Sequence, residues 1–248
     1  MNKLFTVFIT LILALFLFAP FATAGTMKIT VDGIERVDGP VEGNNSQCQA
    51  PPLTTDQLAA QGLGRLSQLS FINDAKTKAF VKVFSGLSVA DVTRLWNDIV
   101  WLDENTEIRE VELFINSPGG DAFSGLALAD QIERAKRRGF TINAHASGIV
   151  ASAAVPVFAV CSKRYVAYGT IFMVHEAALW KWPGRETASD IQSQNELMQL
   201  LRSQYIGKLV DNCNGKLDFE GWREMEKKTS WFSAEDAIDK YGIADEYE

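Results

Sequence analysis

The sequence predicts an α/β domain whose parallel strands are joined by crossover helices, and three observations carry that expectation. From about Lys78 onward, apolar runs of strand length alternate with longer segments whose apolar residues recur at helical spacing. The order strand, helix, strand, helix at short spacing requires crossover connections. Beyond the leader no segment approaches the length of a membrane span, and the chain is long enough for one domain with a substantial core.

The chain opens with Met1-Asn2-Lys3, an apolar run from Leu4 to Phe18, and then Ala19-Pro20-Phe21 and Ala22-Thr23-Ala24. One positive charge, an apolar centre and a small-x-small ending read as a secretory signal peptide cut after Ala24. The expectation is therefore an exported protein, periplasmic or secreted. Leu4 to Ala24 is almost long enough to span a bilayer, so a leader that is not cleaved would anchor the chain in the membrane; Pro20 and Ala-Thr-Ala favour cleavage. Removing the leader takes away one lysine and no acid, which moves the formal net charge from -7 to -8. Such an acidic chain is not built to neutralise phosphates, so no nucleic-acid partner is expected. The run Arg134-Ala135-Lys136-Arg137-Arg138 reads as the solvated end of a helix. Three cysteines, Cys48, Cys161 and Cys213, allow at most one bridge within the chain. Cys161 lies beside an apolar run and reads as a buried thiol.

Residues 25–78 read as an N-terminal extension without legible activity, and residues 79–248 as the domain. Within the extension Met27 to Val31 has the composition of a short strand, whereas Gly39-Pro40 and the stretch from Gly43 to Pro52 form loops. The domain starts with the strand Phe80 to Phe84, ended by Gly86. Ser88 and Asp91 resemble a capping box ahead of Val92, Leu95, Ile99, Val100 and Leu102. The strand Val111 to Ile115 follows, then a glycine turn and a helix from Phe123 to Lys136. A third strand, Thr141 to Ala146, leads into Ser147-Gly148-Ile149-Val150-Ala151-Ser152-Ala153-Ala154 and a helix of small residues to about Val160. Strands from Tyr165 to Ala167 and from Ile171 to Val174 deliver His175. A long helix from Ala188 to Val210, a second from Asp218 to Glu226, and a short one capped by Ser233 complete the chain.

The stretch Ile115-Asn116-Ser117-Pro118-Gly119-Gly120-Asp121-Ala122-Phe123 carries the functional argument. A strand that ends on Pro-Gly-Gly leaves backbone N–H groups outside any ladder, and glycine lets another group approach them. Taken alone this is a tight turn, Ser152 is a packing residue among alanines, and His175 is a strand-end histidine. Together they are the parts of a nucleophilic acyl-transfer site: a hydroxyl, a base to take its proton, and amides for the oxyanion.

These residues resemble the serine peptidases of the Clp protease proteolytic-subunit type. Ile115-Asn116-Ser117-Pro118-Gly119-Gly120 matches that family's glycine motif, Gly148-Ile149-Val150-Ala151-Ser152 its nucleophile motif, Lys163-Arg164 its basic pair and Met173-Val174-His175 its histidine motif. Ser189-Asp190-Ile191, Phe232-Ser233-Ala234 and Gly242-Ile243-Ala244-Asp245 look like later landmarks, so the resemblance covers about Phe80 to Asp245. It implies the repeated β-β-α spiral fold shared with the crotonases, a protruding assembly helix, ring-shaped homo-oligomers, a peptide or unfolded-protein substrate, and no metal or cofactor. It makes Ser152 the nucleophile, His175 the general base, and the N–H groups of Gly120 and Ala153 the oxyanion hole. Counting back from Phe232-Ser233-Ala234, the family's aspartate falls near Met225; a one-residue shift nominates Glu226, with Glu224 and Asp218 as alternatives.

Other readings stand beside this one. A serine–lysine dyad would need Lys163 or Lys181, but no lysine stands where His175 does. His145 reads as structural. The missing aspartate supports a scaffold that keeps the assembly and lacks efficient turnover, and an acyl-CoA enzyme is weaker because an exported protein rarely meets that substrate. Family members inside the cell are fed by an ATP-driven partner; for an exported chain no such partner is expected. Trp180-Lys181-Trp182-Pro183-Gly184 suits either an extended apolar peptide or a subunit contact.

Overall fold

A computed structural model describes residues 27–30, 33–36, 66, 70–178 and 185–248. The chain divides into two units, residues 1–52 and residues 53–248. In the first, β1 (Met27–Thr30) pairs antiparallel with β2 (Gly33–Arg36), Met27 opposite Arg36 and Thr30 opposite Gly33. The segment from Met1 to Ala24 that reads as a signal peptide, Cys48 and the Trp180 to Gly184 stretch lie outside the described residues.

The second unit is a mixed α/β domain with a mostly parallel sheet and six helices among the described residues. This is the fold class that alternating patterns and the Clp resemblance imply. Its sheet is laid out as β10 (Glu246–Tyr247), β7 (Lys163–Val166), β6 (Thr141–Ala151), β5 (Glu110–Ser117), β4 (Lys78–Val83) and β3 (Ser70–Ile72), while β8 (Ile171–Val174) pairs with both β6 and β9 (Ser230–Ser233). The β3–β4 and β8–β9 pairs are antiparallel and the others parallel. Alternation decides which face is covered: Ala79, Val81 and Val83 of β4 are buried with Val111, Leu113 and Ile115 of β5, whereas Lys78, Phe80 and Lys82 face the other way. On that second face Phe71, Phe80, Phe114, His145 and Tyr165 stack in a row across the strands.

Helix α1 (Val89–Asn105) begins where the Ser88–Asp91 pattern places it, with Ser88 N–H and Oγ–H both donating to Asp91 at 3.0 and 2.7 Å. Its Leu95, Ile99 and Leu102 point into the core at helical spacing. Helix α2 (Ala122–Arg137) is capped by Asp121, which accepts from Ser124 N–H at 2.7 Å, and ends in the basic run expected to complement its dipole.

Strand β6 does not stop at Ala146 as its sequence suggests but runs on to Ala151. The reason is tertiary. Asn143 to Ala146 pair with β7, whereas Ile149 to Ala151 pair with β8, so one strand serves two neighbours in turn. Gly148, at φ +71°, makes the bend between the halves, and a Cβ there would lie 2.9 Å from Asn116 Oδ1. That same Asn116 oxygen accepts from Ile149 N–H at 3.2 Å.

After α3 (Ala154–Ala159) and β7–β8 comes α4 (Ala188–Asn212), opened by a Thr187–Asp190 capping box. None of residues 188–200 is buried, and Leu201, Ile206 and Leu209 form the buried stripe of its second half. The chain closes through α5 (Phe219–Lys227), β9, α6 (Ala234–Asp239) and β10. Arg164 fastens this end. Its guanidinium donates to Asp245 at 2.5 and 3.1 Å and to the carbonyl of Asn212. Burial alone would raise the Asp245 carboxyl, but the Arg164 bonds outweigh it and hold it below its ordinary value.

Candidate active site

The glycine turn after β5 is packed on both sides by backbone. Leu87 N–H donates to Gly119 O at 2.7 Å and Leu87 O accepts from Asp121 N–H at 3.0 Å, while Ser117 Oγ–H donates to Ser85 O at 2.6 Å. A Cβ on Gly119 (φ +93°) would lie 2.6 Å from Ala151 O, and one on Gly120 (φ +154°) would lie 2.4 Å from Leu87 O. Both glycines are therefore required by space as well as by backbone conformation. The turn is wedged between Leu87 and the end of β6, and this sets the amide of Gly120 beside the segment that carries Ser152.

Ser152 follows β6 directly and holds a left-handed backbone at φ +54°, unusual for a residue with a side chain. Its N–H donates to Met173 O at 2.8 Å, continuing the parallel pairing of β6 with β8. Because Ala151 is level with Met173, the residues just past the two strand ends, Ser152 and His175, meet. His175 Nε2 lies 2.8 Å from Ser152 Oγ. With Nε2 unprotonated, the hydroxyl donates to it, which is the arrangement a general base needs. Among the described residues neither the N–H of Gly120 nor that of Ala153 has a hydrogen-bond acceptor, and both residues line one cavity with Ser152 and His175. The cavity has a volume of about 560 Å³, and Phe123, Leu126, Pro156 and Leu201 make it apolar on one side.

Helix α4 supplies three more groups. Besides Leu201, Tyr205 O–H donates to Ser152 O at 3.2 Å, and burial, with the Glu226 charge adding to it, pushes its phenol far above the ordinary value. Arg202 Nε–H donates to Glu226 Oε2 at 2.7 Å, and its Nη2 contacts Glu176. Glu226 is only 3% exposed and lines the cavity. Burial raises its carboxyl above the ordinary value, although Arg202 draws it back down. Among the described residues it makes no hydrogen bond to His175; its bonded partner is Arg202. Of the alternatives, Glu224 pairs with Lys227 on the outside of α5 at 2.8 Å, and Asp218 caps that helix, accepting from Gly221 N–H at 2.8 Å. Met225 packs against the core.

The Clp protease family model matches residues 69–247. The chain belongs to that family. It is 25% identical over 173 residues to the ATP-dependent Clp protease proteolytic subunit 2 of Thermobifida fusca, covering 66% of this chain and 78% of that one. To the proteolytic subunit 3 of Parasynechococcus marenigrum it is 29% identical over 170 residues, covering 66% and 80%. To the proteolytic subunit 2 of Corynebacterium efficiens it is 28% identical over 169 residues, covering 66% and 79%.

Several features of this Clp-family chain could not be read ahead. Arg202 and Tyr205 reach the cavity because of how α4 packs, and the only signal was that α4 carries a polar residue beside Leu201 on an otherwise apolar stripe. Lys163, one of the lysines considered for a dyad, does not line the cavity; Lys181 lies outside the described residues. His145 is stacked between Phe114 and Tyr165, with Nε2 2.8 Å from Glu112 and Nδ1 3.0 Å from Glu248, so its partners are those of a structural residue. Cys161 and Cys213 are both buried and unbridged, and burial pushes the Cys161 thiol up to about 12, which removes it as a nucleophile.

Proposed function

We propose that the chain is an ATP-independent serine-type peptidase that hydrolyses peptide bonds in peptides or unfolded proteins. The observation that carries this reading is the 2.8 Å Ser152–His175 pair in one cavity with two uncommitted backbone amides. His175 takes the Ser152 proton as Oγ attacks the carbonyl carbon, and the oxyanion accepts from the N–H groups of Gly120 and Ala153. As the C–N bond breaks, the proton passes to the leaving amine. A water then gives its proton to His175 and its oxygen to the acyl carbon, releasing acid and free serine. Glu226 is the acid that supports the imidazolium. The apolar wall suits an apolar side chain next to the scissile bond.

The matched relatives are named as ATP-dependent proteolytic subunits. A chain exported by its leader would work where ATP is not supplied, hence without an ATPase partner. The experiment is labelling with a fluorophosphonate: the folded protein is expected to acquire one covalent adduct, mapped by mass spectrometry to Ser152. A second reading, an assembly scaffold without turnover, is favoured by one observation, the commitment of Glu226 to Arg202. Folded protein that takes no adduct decides for the scaffold.

Assembly is part of the proposal. The unburied first half of α4 extends for about 20 Å at 1.5 Å per residue, and it leaves Ile191 55% and Leu200 64% exposed. Apolar groups on a projecting helix mark a contact between copies. Light scattering on the mature chain is expected to give a homo-oligomer, as a ring would; a monomer at micromolar concentration would remove this part of the reading.

A further inference from the structure

Among the described residues that line the cavity one is a Lys or Arg, Arg202, and the peptidase mechanism does not use it. Its guanidinium bridges two carboxylates that belong to different parts of the site. On one side Nε–H holds Oε2 of Glu226, on the last turn of α5; on the other Nη2 holds Glu176, the residue directly after His175. Glu226 Oε1 has no hydrogen-bond partner among the described residues and is not sealed from the cavity. One carboxylate oxygen is thus fixed while the other is left for a donor. Resting on the reading of Ser152 and His175 as nucleophile and base, we propose that Arg202 is the positioning residue of the site: it holds the Glu226 carboxylate and the segment carrying His175 in one frame, with Oε1 as the acceptor for the Nδ1–H of the imidazolium.

The alternatives make different demands. A bridge that merely stapled α4 to α5 would not need its second carboxylate next to the base, nor one partner almost wholly buried in the cavity. A bridge that sequestered Glu226 would make Arg202 an inhibitor of turnover. The groups that face Glu226 are Arg202 and Tyr205 from α4 and His175 and Glu176 from the segment after β8, with Asp121 at the head of α2 lining the same cavity. Burial is the dominant influence on Glu226, and it favours the neutral acid; Arg202 is the chief opposing one. Without the guanidinium the carboxyl keeps its proton to higher pH, and a neutral carboxyl cannot support an imidazolium.

The test compares Arg202→Gln and Arg202→Lys with wild type in the full chain, reading the rate of fluorophosphonate labelling, kcat/KM on a fluorogenic peptide across the acid limb, and the proton spectrum of the His175 ring. Arg202→Gln is expected to slow labelling about tenfold to a hundredfold, less than loss of the acid itself. The acid limb should move to higher pH, and the His175 Nδ1–H signal should be lost. Arg202→Lys, which keeps the charge but not the two-sided fork, should recover part of the rate and the position of the acid limb. Arg202→Gln that labels at or above the wild-type rate with the acid limb unmoved overturns the proposal. Should wild type itself take no adduct, the peptidase reading falls, and the ring spectrum still decides the placement: a Nδ1–H signal indifferent to Arg202→Gln refutes it, and one lost in that variant and kept in Arg202→Lys supports it.

Discussion

Ser152→Ala is expected to abolish fluorophosphonate labelling and to lower peptide hydrolysis by about three to six orders of magnitude, the range seen when a nucleophile is removed from such a site. Folding should survive. The backbone of Ser152 already stands at φ +54°, a strain that any side chain with a Cβ shares, so alanine adds none that serine did not carry. Its N–H bond to Met173 O is a backbone bond and persists, as does the bond from Tyr205 O–H to Ser152 O. The substitution removes only the hydroxyl facing His175 Nε2. Thermal unfolding and oligomer size are therefore expected to match wild type, and the activity that is left measures what the amides of Gly120 and Ala153 contribute by themselves. An adduct that persists in Ser152→Ala would place the nucleophile at another residue, and Cys161 could not be it, being buried with a thiol pushed up to about 12.

How much of this could be read in advance depended on whether a feature is local. Strand β8 falls exactly where its apolar run places it, and α1, α2 and α4 begin at caps written in adjacent residues: Ser88 with Asp91, Asp121 with Ser124, Thr187 with Asp190. The strands that escaped notice, Gly33–Arg36, Ser70–Ile72, Ser230–Ser233 and Glu246–Tyr247, are at most four residues long and exist because a partner is present. The extension of β6 past Ser147-Gly148 has the same origin, since the strand continues through a bend at the glycine from one pairing to the next. At the site, Ser152, His175 and the two glycines sit in motifs whose spacing is local to strand ends. The acid does not. Its position depends on how α5 packs against α4, and Arg202 enters the cavity from a helix whose pattern spoke only of its apolar stripe.

Glu226→Gln is expected to keep the fold and lower turnover by about two to four orders of magnitude, because a neutral amide neither stabilises the imidazolium nor selects the tautomer that leaves Nε2 free for Ser152. The substitution is nearly isosteric in a group that is 3% exposed, and Arg202, though left with a weaker partner, retains Glu176. Oligomer size should not change. Two controls separate this outcome from a general effect on α5. Glu224→Gln loses only exposed pairs with Lys227 and Lys228, worth little, and Asp218→Asn keeps a residue that caps helices as well as aspartate does, so both should stay within a few-fold of wild type. If Glu226→Gln turns over like wild type while one control is inactive, the acid belongs to that control residue and the one-residue shift from Met225 is wrong. If all three variants stay active, Ser152 and His175 work as a dyad whose imidazole is oriented by backbone or water. In that case the Arg202–Glu226 bond at 2.7 Å is the resting place of a carboxylate that catalysis never uses.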